Sequence, residues 1–323
     1  MIHSIIKTQQ SFSIVHGMPE PENDRDVVWL DVAAPTVEES AMLRQRFGID
    51  TGSKNSSVTE DDSFLYMRSY LLTLDGNEVP CFGHVTFVLG QQVVATLNNE
   101  EGFHQFSIAL QRLNRKQASA QSPKEVLRVL LQVANDSADT AIDRIADELE
   151  RSAKEISEIS DGYNAQGKEM GVTDLLGTMR SLNETEELIS KCVEAQLSLA
   201  RAVRYLGGEV DNVTEAELQA VVNELAGDVV GVKEHAYFEH EKVRYLQNAV
   251  TNILNIKQNQ IVKVFTIITA VFLPPTLVGT FYGMNFAVMP ELSWQHGFIY
   301  SMMLTLGAAL LPLAYIKKKG WLR

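Results

Sequence analysis

Three kinds of hydrophobic spacing succeed one another along the chain. Up to about residue 120, short apolar runs alternate with turn signals. Val27-Val28-Trp29-Leu30-Asp31-Val32 is apolar enough for a buried strand. Pro35 and Thr36-Val37-Glu38-Glu39 then predict a capping box opening a short helix to about Phe47. Ser53–Asp62 is polar and loop-like, and Phe64–Leu74 predicts a strand that breaks at the Asp75-Gly76 turn. Val85–Leu89 and Val93–Leu97 predict a hairpin through Gly90, and Phe103–Lys116 has helical spacing. Together these segments predict a small α/β domain over residues 1–122.

From Pro123 the strand signals stop. Leu131, Ala134, Ala138, Ile142, Ile145, Leu149 and Ile156 recur every three or four positions, predicting a helix to about Ser160. Gly162 and Gly167 interrupt it, and a second helix covers roughly Thr173–Leu206 before Gly207-Gly208. The pair predicts a helical hairpin over 123–208. After Thr214, a candidate cap with Glu217 three residues on, a third helical pattern forms a stalk over 209–260. Its seam, from Leu218 and Val222 through Leu225, Val229, Val232, Ala236, Val243 and Leu246 to Ile253, is coiled-coil-like and is broken only at Glu239. It runs straight into Ile261–Tyr282. At 1.5 Å per residue, 214–283 makes a rod of roughly 100 Å.

Val264–Gly283 is twenty uncharged, mainly apolar residues, the length that crosses a hydrocarbon core. Phe298–Ile316 is a second such stretch, closed by Lys317-Lys318-Lys319. The expected division is a first span at 261–284, a loop at 285–297, a second span at 298–316 and a basic tail at 317–323. Pro274-Pro275 is tolerated in a span packed against neighbours, and Trp294, Tyr300, Tyr315 and Trp321 suit interfacial anchors. The loop lacks Lys and Arg whereas both outer flanks carry them, so both termini are expected in the cytoplasm.

Composition adds a contrast between the two ends. The 323 residues are 45% hydrophobic and 21% charged, which excludes a disordered chain, and the net charge of −13 argues against a nucleic-acid binder. Residues 261–323 nevertheless hold five Lys and Arg against the single Glu291, so the acidity lies in the preceding body. Cys81 and Cys192 match no zinc or redox spacing, and a reducing compartment is expected. The opening MIHSIIKTQQSFS lacks the pattern of a secretory signal. No phosphate loop, GxSxG or HExxH pattern is present, so no enzyme activity is expected. His235 and His240, five apart, fall on different faces of a helix.

Two spans per chain cannot enclose an aqueous path; the chain either anchors a domain or surrounds a pore with copies of itself. Asn259, Val262, Phe265 or Thr266, Thr269, Leu273, Thr276, Thr280 and Gly283 share one strip of the first span. The strip is rich in hydroxyls at its outer half and bulky and apolar at its inner half. Its threonines either line a path or simply bond their own backbone.

At Tyr282-Gly283-Met284-Asn285 the chain resembles the CorA-type magnesium channel family. The stretch FLPPTLVGTFYGMNFAVMPELSW, a second span and a closing KKKGWL carry the likeness, with echoes at Val28-Trp29-Leu30-Asp31 and the 85–97 hairpin. ZntB-type zinc transporters share that architecture but usually alter the triplet. The resemblance implies an α+β membrane protein of the bacterial inner membrane. It would be a homopentameric funnel with the first span at the pore and the second in an outer ring. Its partners would be copies of itself, membrane lipids and divalent cations, with no nucleic acid. Its activity would be uptake of Mg²⁺, with Co²⁺ and Ni²⁺ as further cargo, gated by internal Mg²⁺. The alternatives are a Zn²⁺ transporter on the same scaffold and a non-conducting membrane-anchored interaction protein.

Mg²⁺ gives up water reluctantly, and the first span has no carboxylate to strip it. A ring of Asn285 amides and Gly283 carbonyls would instead hold the hydrated ion, with Met284 packing the loop of that selectivity filter. Asn285 alternatively caps loose helix carbonyls. Glu291 would concentrate cations at the mouth or is merely a solvated loop residue. Leu273, Phe265 and Val262 would close the path by dewetting. Lys317, Lys318 and Lys319 resemble the family's basic ring and equally fit positive-inside anchoring. The resemblance places regulatory Mg²⁺ between Glu224 and Asp75 of neighbouring subunits, although Asp75-Gly76 is equally turn chemistry. Asp136, Asp139, Asp143, Asp147 and Glu150 form a further acidic stripe, either a solvated face or a metal-binding one.

Overall fold

The computed structural model describes residues 1–8, 12–52, 56–74, 79–98, 106–115, 122–160, 172–211, 213–285 and 289–320. Its elements divide into two units, one of residues 1–157 with 177–247, the other of 158–176 with 248–323.

In the first unit seven strands form one mixed sheet: β1 (Ile2–Lys7), β2 (Phe12–His16), β3 (Val27–Ala33), β4 (Val58–Glu60), β5 (Phe64–Leu74), β6 (Pro80–Gly90) and β7 (Val94–Asn98). Their order is β2-β1-β3-β7-β6-β5-β4, with β3 and β7 parallel and the other neighbours antiparallel. Side chains alternate across the sheet as a period of two requires. On β6, Val85, Phe87 and Leu89 enter one core while Val88 enters the other. The parallel pair, where Asp31 lies opposite Thr96, carries a buried polar chain. Trp29 Nε1 donates to Thr96 Oγ1 at 3.0 Å, and that hydroxyl donates to Asp31 Oδ1 at 2.7 Å.

Helix α1 (Val37–Phe47) covers one face of the sheet through Leu43 and Phe47. It opens with the expected capping box: Glu39 N donates to Thr36 Oγ1 at 3.1 Å and Thr36 N to Glu39 Oε2 at 2.8 Å. The other face packs on α2 (Phe106–Arg115), α3 (Pro123–Ser160), α4 (Val172–Glu209) and the start of α5 (Ala216–Tyr282). Seam residues Val222, Leu225, Val229, Val232, Ala236, Val243 and Leu246 are all buried, and Glu239 is buried among them. Each of these valines and leucines contributes about 1.5–3 kcal/mol by leaving water.

Four local expectations need correction. The 53–62 segment contains β4, a short polar edge strand made by pairing with β5 rather than by its own composition. β6 begins at Pro80, not Val85, because it pairs with β5 along that strand's whole length. α4 continues through Gly207-Gly208: burial of Leu206 outweighs the roughly 1 kcal/mol that each glycine costs a helix. Thr214 does not cap α5; Asp211 Oδ1 accepts from Val213 N and Thr214 N instead, at 2.8 and 3.2 Å.

In the second unit α5 continues unbroken through Pro274 and Pro275. A 3-10 turn at Pro290–Ser293 leads to α6 (Gly297–Lys318). These two helices are long and apolar enough to cross a membrane, and no residue of the most apolar window of α5 is buried within the chain.

Candidate functional site

The C-terminal end of α5 carries a shallow groove of about 530 Å³. It is lined by Thr269, Leu273, Thr276 and Thr280 together with Ile268, Phe272 and Leu277. The first four belong to the strip that the spacing predicts; the other three are their neighbours on the same helix. Asn259, Val262 and Phe265 lie on the same helix toward its middle, all exposed, and do not line the groove. Exposed apolar side chains stand all around this stretch, from Val264 and Ile268 to Phe272, Leu273 and Phe281. A soluble monomer does not leave such a surface uncovered.

The threonine hydroxyls are committed in one direction. Thr266 donates to Val262 O at 2.7 Å, Thr269 to Phe265 O at 2.8 Å, Thr276 to Phe272 O at 2.7 Å and Thr280 to Thr276 O at 2.8 Å. Self-bonding thus holds, and it does not spend the site. Each hydroxyl oxygen keeps acceptor lone pairs while its proton is fixed. Water bound to a cation turns its protons outward, so a row of acceptors with no free proton matches a hydrated cation.

Helix α5 closes on Gly283, whose N–H donates to Gly279 O at 3.0 Å and Thr280 O at 3.2 Å. A Cβ at Gly283 would meet Gly279 O at 3.2 Å, so the tight last turn favours glycine. Met284 N donates to Phe281 O at 3.4 Å, and Gly283, Met284 and Asn285 are all exposed. The turn carrying Glu291 is fixed against the first residue of α6: a Cβ on Gly297 would stand 2.1 Å from Glu291 O. Trp294 packs tilted on Tyr300 with ring centres 5.7 Å apart. At the other end of α6, Lys317, Lys318 and Lys319 are exposed, and Lys319 N donates to Tyr315 O at 3.0 Å.

Glu224 is exposed on α5 in the first unit, and Asp75 lies outside the described residues, so their pairing has no geometry here. Neither Cys81 nor Cys192 is in a disulfide. Burial pushes the Cys192 thiol up to about 12. Asp139 and Asp143, two members of the acidic stripe on α3, meet His235 of α5, with one ligand atom of each within 4.8 Å of the others. The stripe marks the two aspartates; no spacing along α5 points to His235 as their neighbour.

Comparison with known proteins fits this geometry. Residues 24–318 match the family described as CorA-like Mg2+ transporter protein. A magnesium transport protein CorA from Haemophilus influenzae is 28% identical over 305 residues, covering 91% of this chain and 92% of the relative. Its Escherichia coli counterpart is also 28% identical, over 315 residues and 92% of each chain. The solved CorA magnesium transporter of Methanocaldococcus jannaschii, at 17% identity, superposes with a TM-score of 0.74 over 99% of this chain and 98% of its own, which shows a shared fold. An α/β body, an unbroken helix ending in Gly-Met-Asn and a second apolar helix place the chain in the CorA-like Mg²⁺ transporter family.

Proposed function

We propose that the chain forms a channel for Mg²⁺, built from several copies around the threonine strip of α5. The observation that carries this reading is the row of proton-committed threonine oxygens leading to an exposed Gly283-Met284-Asn285. Hydrated Mg²⁺ donates hydrogen bonds to Thr269, Thr276 and Thr280 as it moves. The Asn285 amides and Gly283 carbonyls form the selective ring, and Met284 packs behind it. Glu291 raises the cation concentration outside. Leu273, Phe265 and Val262 provide the apolar constriction. Asn259 continues the strip inward.

The assembly is a homopentamer in the bacterial inner membrane with both termini cytoplasmic. The uncovered apolar surface of α5 and α6 supports an assembly, and the basic Lys317–Lys319 end supports the orientation. Two charges falling through 100 mV release roughly 4.6 kcal/mol, so inward flow needs no pump. Mg²⁺ bound between Glu224 and a neighbour's Asp75 holds the closed state. The all-oxygen ring disfavours a Zn²⁺ carrier.

Proteoliposomes with an inside-negative potential test the reading, given Mg²⁺, Co²⁺, Ni²⁺ and Zn²⁺ in turn. Mg²⁺ influx that Asn285→Ala abolishes, with the oligomer intact by light scattering, is the expected result. Zn²⁺ flux without Mg²⁺ flux, or no flux, overturns it. An Asp75→Asn/Glu224→Gln double variant should conduct at internal Mg²⁺ concentrations that silence the parent.

A further inference from the structure

The seam of α5 is interrupted by one acid, and that acid is buried. Glu239 is 3% exposed, and its Oε2 accepts no hydrogen bond; the Lys242 ammonium stands 3.2 Å away as an ion pair. One turn earlier, His235 bridges outward. Its Nε2 is 3.9 Å from Glu239 Oε1, and its Nδ1 is 3.8 Å from Asp143 Oδ1 on α3. Asp139, one turn before Asp143, completes the group. One turn before Asp139, Asn135 is 3% exposed, and its Oδ1 has no hydrogen-bond partner.

Buried polar atoms without partners are few in native folds, and each asks for a water or an ion. Asn135 Oδ1, one turn before Asp139 on α3, is such an atom, and the buried Glu239 Oε2 on α5 is met only by the Lys242 ammonium at 3.2 Å.

The donor set decides which cation fits. Two carboxylates alone would suit Mg²⁺, which takes oxygen ligands and keeps its water, but the third group here is the His235 imidazole. An imidazole beside carboxylates suits Zn²⁺, Co²⁺ or Ni²⁺. A carboxylate behind the second ring nitrogen fixes the tautomer and raises the basicity of the ligating one. Glu239 Oε1 stands on that side of the ring at 3.9 Å, and moves into hydrogen-bond reach when the group closes on a metal. Metal–ligand bonds of about 2.0–2.2 Å hold ligand atoms closer than 4.8 Å, so a small side-chain adjustment closes the group.

We propose that Asp139, Asp143 and His235 form a transition-metal site within one subunit. His235 ligates through Nδ1, each aspartate supplies one oxygen, and water fills the remaining positions. Glu239 is a positioning residue. Occupancy clamps α3 to α5, the helix that carries the threonine strip, and gives the chain a response to a cation other than Mg²⁺. The site shares no residue with the strip or with the Asp75–Glu224 pair.

The test uses purified full-length protein in detergent and Co²⁺ as the probe. The expected result is one Co²⁺ per chain with visible absorption bands of imidazole ligation, displaced by equimolar Zn²⁺ and unaffected by excess Mg²⁺. His235→Gln and Asp139→Asn should each lose those bands. Glu239→Gln should weaken Co²⁺ binding about 10–100-fold, and His240→Gln should leave it unchanged. Absence of imidazole bands in the parent overturns the proposal whether or not any variant folds. Displacement by Mg²⁺ as readily as by Zn²⁺, or bands that persist in His235→Gln, overturns it too. None of these readings depends on flux, so failure of transport leaves them interpretable.

Discussion

The Thr280 hydroxyl donates to the backbone oxygen of Thr276 at 2.8 Å, and the Thr276 hydroxyl repeats the bond one turn earlier. A threonine arranged this way offers only acceptors to what passes it. Thr276→Val and Thr280→Val keep the shape of the side chain and remove the acceptor. Each should slow Mg²⁺ flux by about fivefold, the effect of losing one hydrogen bond of about 1 kcal/mol from the barrier. Thr→Ser at either position should retain flux. Stopped-flow uptake with an entrapped Mg²⁺ indicator distinguishes the two, and equal rates in Val and Ser variants would remove the hydroxyls from the path.

Gly297 meets the backbone of the loop that carries Glu291. A methyl group there has no room, because the opposing atom is a carbonyl oxygen at 2.1 Å rather than a movable side chain. Gly297→Ala should therefore displace the 290–293 turn and reduce the assembled fraction on gel filtration. A variant that assembles and conducts like the parent would show that the loop relaxes freely.

Asp139 sets a pH dependence with a definite sign. Its carboxyl titrates above the ordinary aspartate range in the fold, chiefly through desolvation and then Asp143, with Asp136 and Asp228 adding and His235 opposing. Stability from the protonated form is complete below the unfolded value and is lost as pH rises through the folded one. In metal-free protein, Asp139→Asn should raise the urea midpoint near neutral pH and leave it unchanged in acid. With Zn²⁺ present, the order near neutral pH should invert. Parallel curves at every pH would contradict the charge crowding.

The loop between the spans should face outward. In a background lacking Cys81 and Cys192, Gln295→Cys should react in intact cells with an impermeant maleimide, and Lys154→Cys should react only after lysis. The opposite pattern would invert the topology.

Cys192 offers a probe of opening. Its thiol is fully buried, and that burial pushes it up to about 12. It should resist iodoacetamide at pH 8 and react at the rate at which α4 opens. Rapid labelling of folded protein would contradict the burial.

What the sequence reveals depends on how far apart the partners stand. The Thr36–Glu39 capping box closes within four residues, so it is legible directly and is present in the fold. α3 is legible because Leu131, Ala134 and Ala138 share one face. β1 is not: Ile2, Ile5 and Ile6 are buried, but Ser4 between them is buried as well, its hydroxyl donating to Gly17 O at 2.8 Å. The run therefore shows neither alternation nor continuity. Gly207-Gly208 has the composition of a helix end, and only the packing around Leu206 overrides it. The Gly283-Met284-Asn285 turn reads from its motif. The His235 cluster reads only by half: Asp139 and Asp143 stand out as part of the α3 stripe, whereas His235 joins them from a different helix that no local pattern connects.

Pro274 and Pro275 carry a last implication. Neither has a backbone N–H, so the carbonyl oxygens of Ala270 and Val271 lose the donors that an ordinary helix would supply. Hydrocarbon has nothing to give them. This turn cannot rest against lipid; it must be met by water or by a donor on another helix. Two adjacent prolines thus act as a requirement for company written into the backbone itself, one that a solitary subunit in a bilayer would leave unmet.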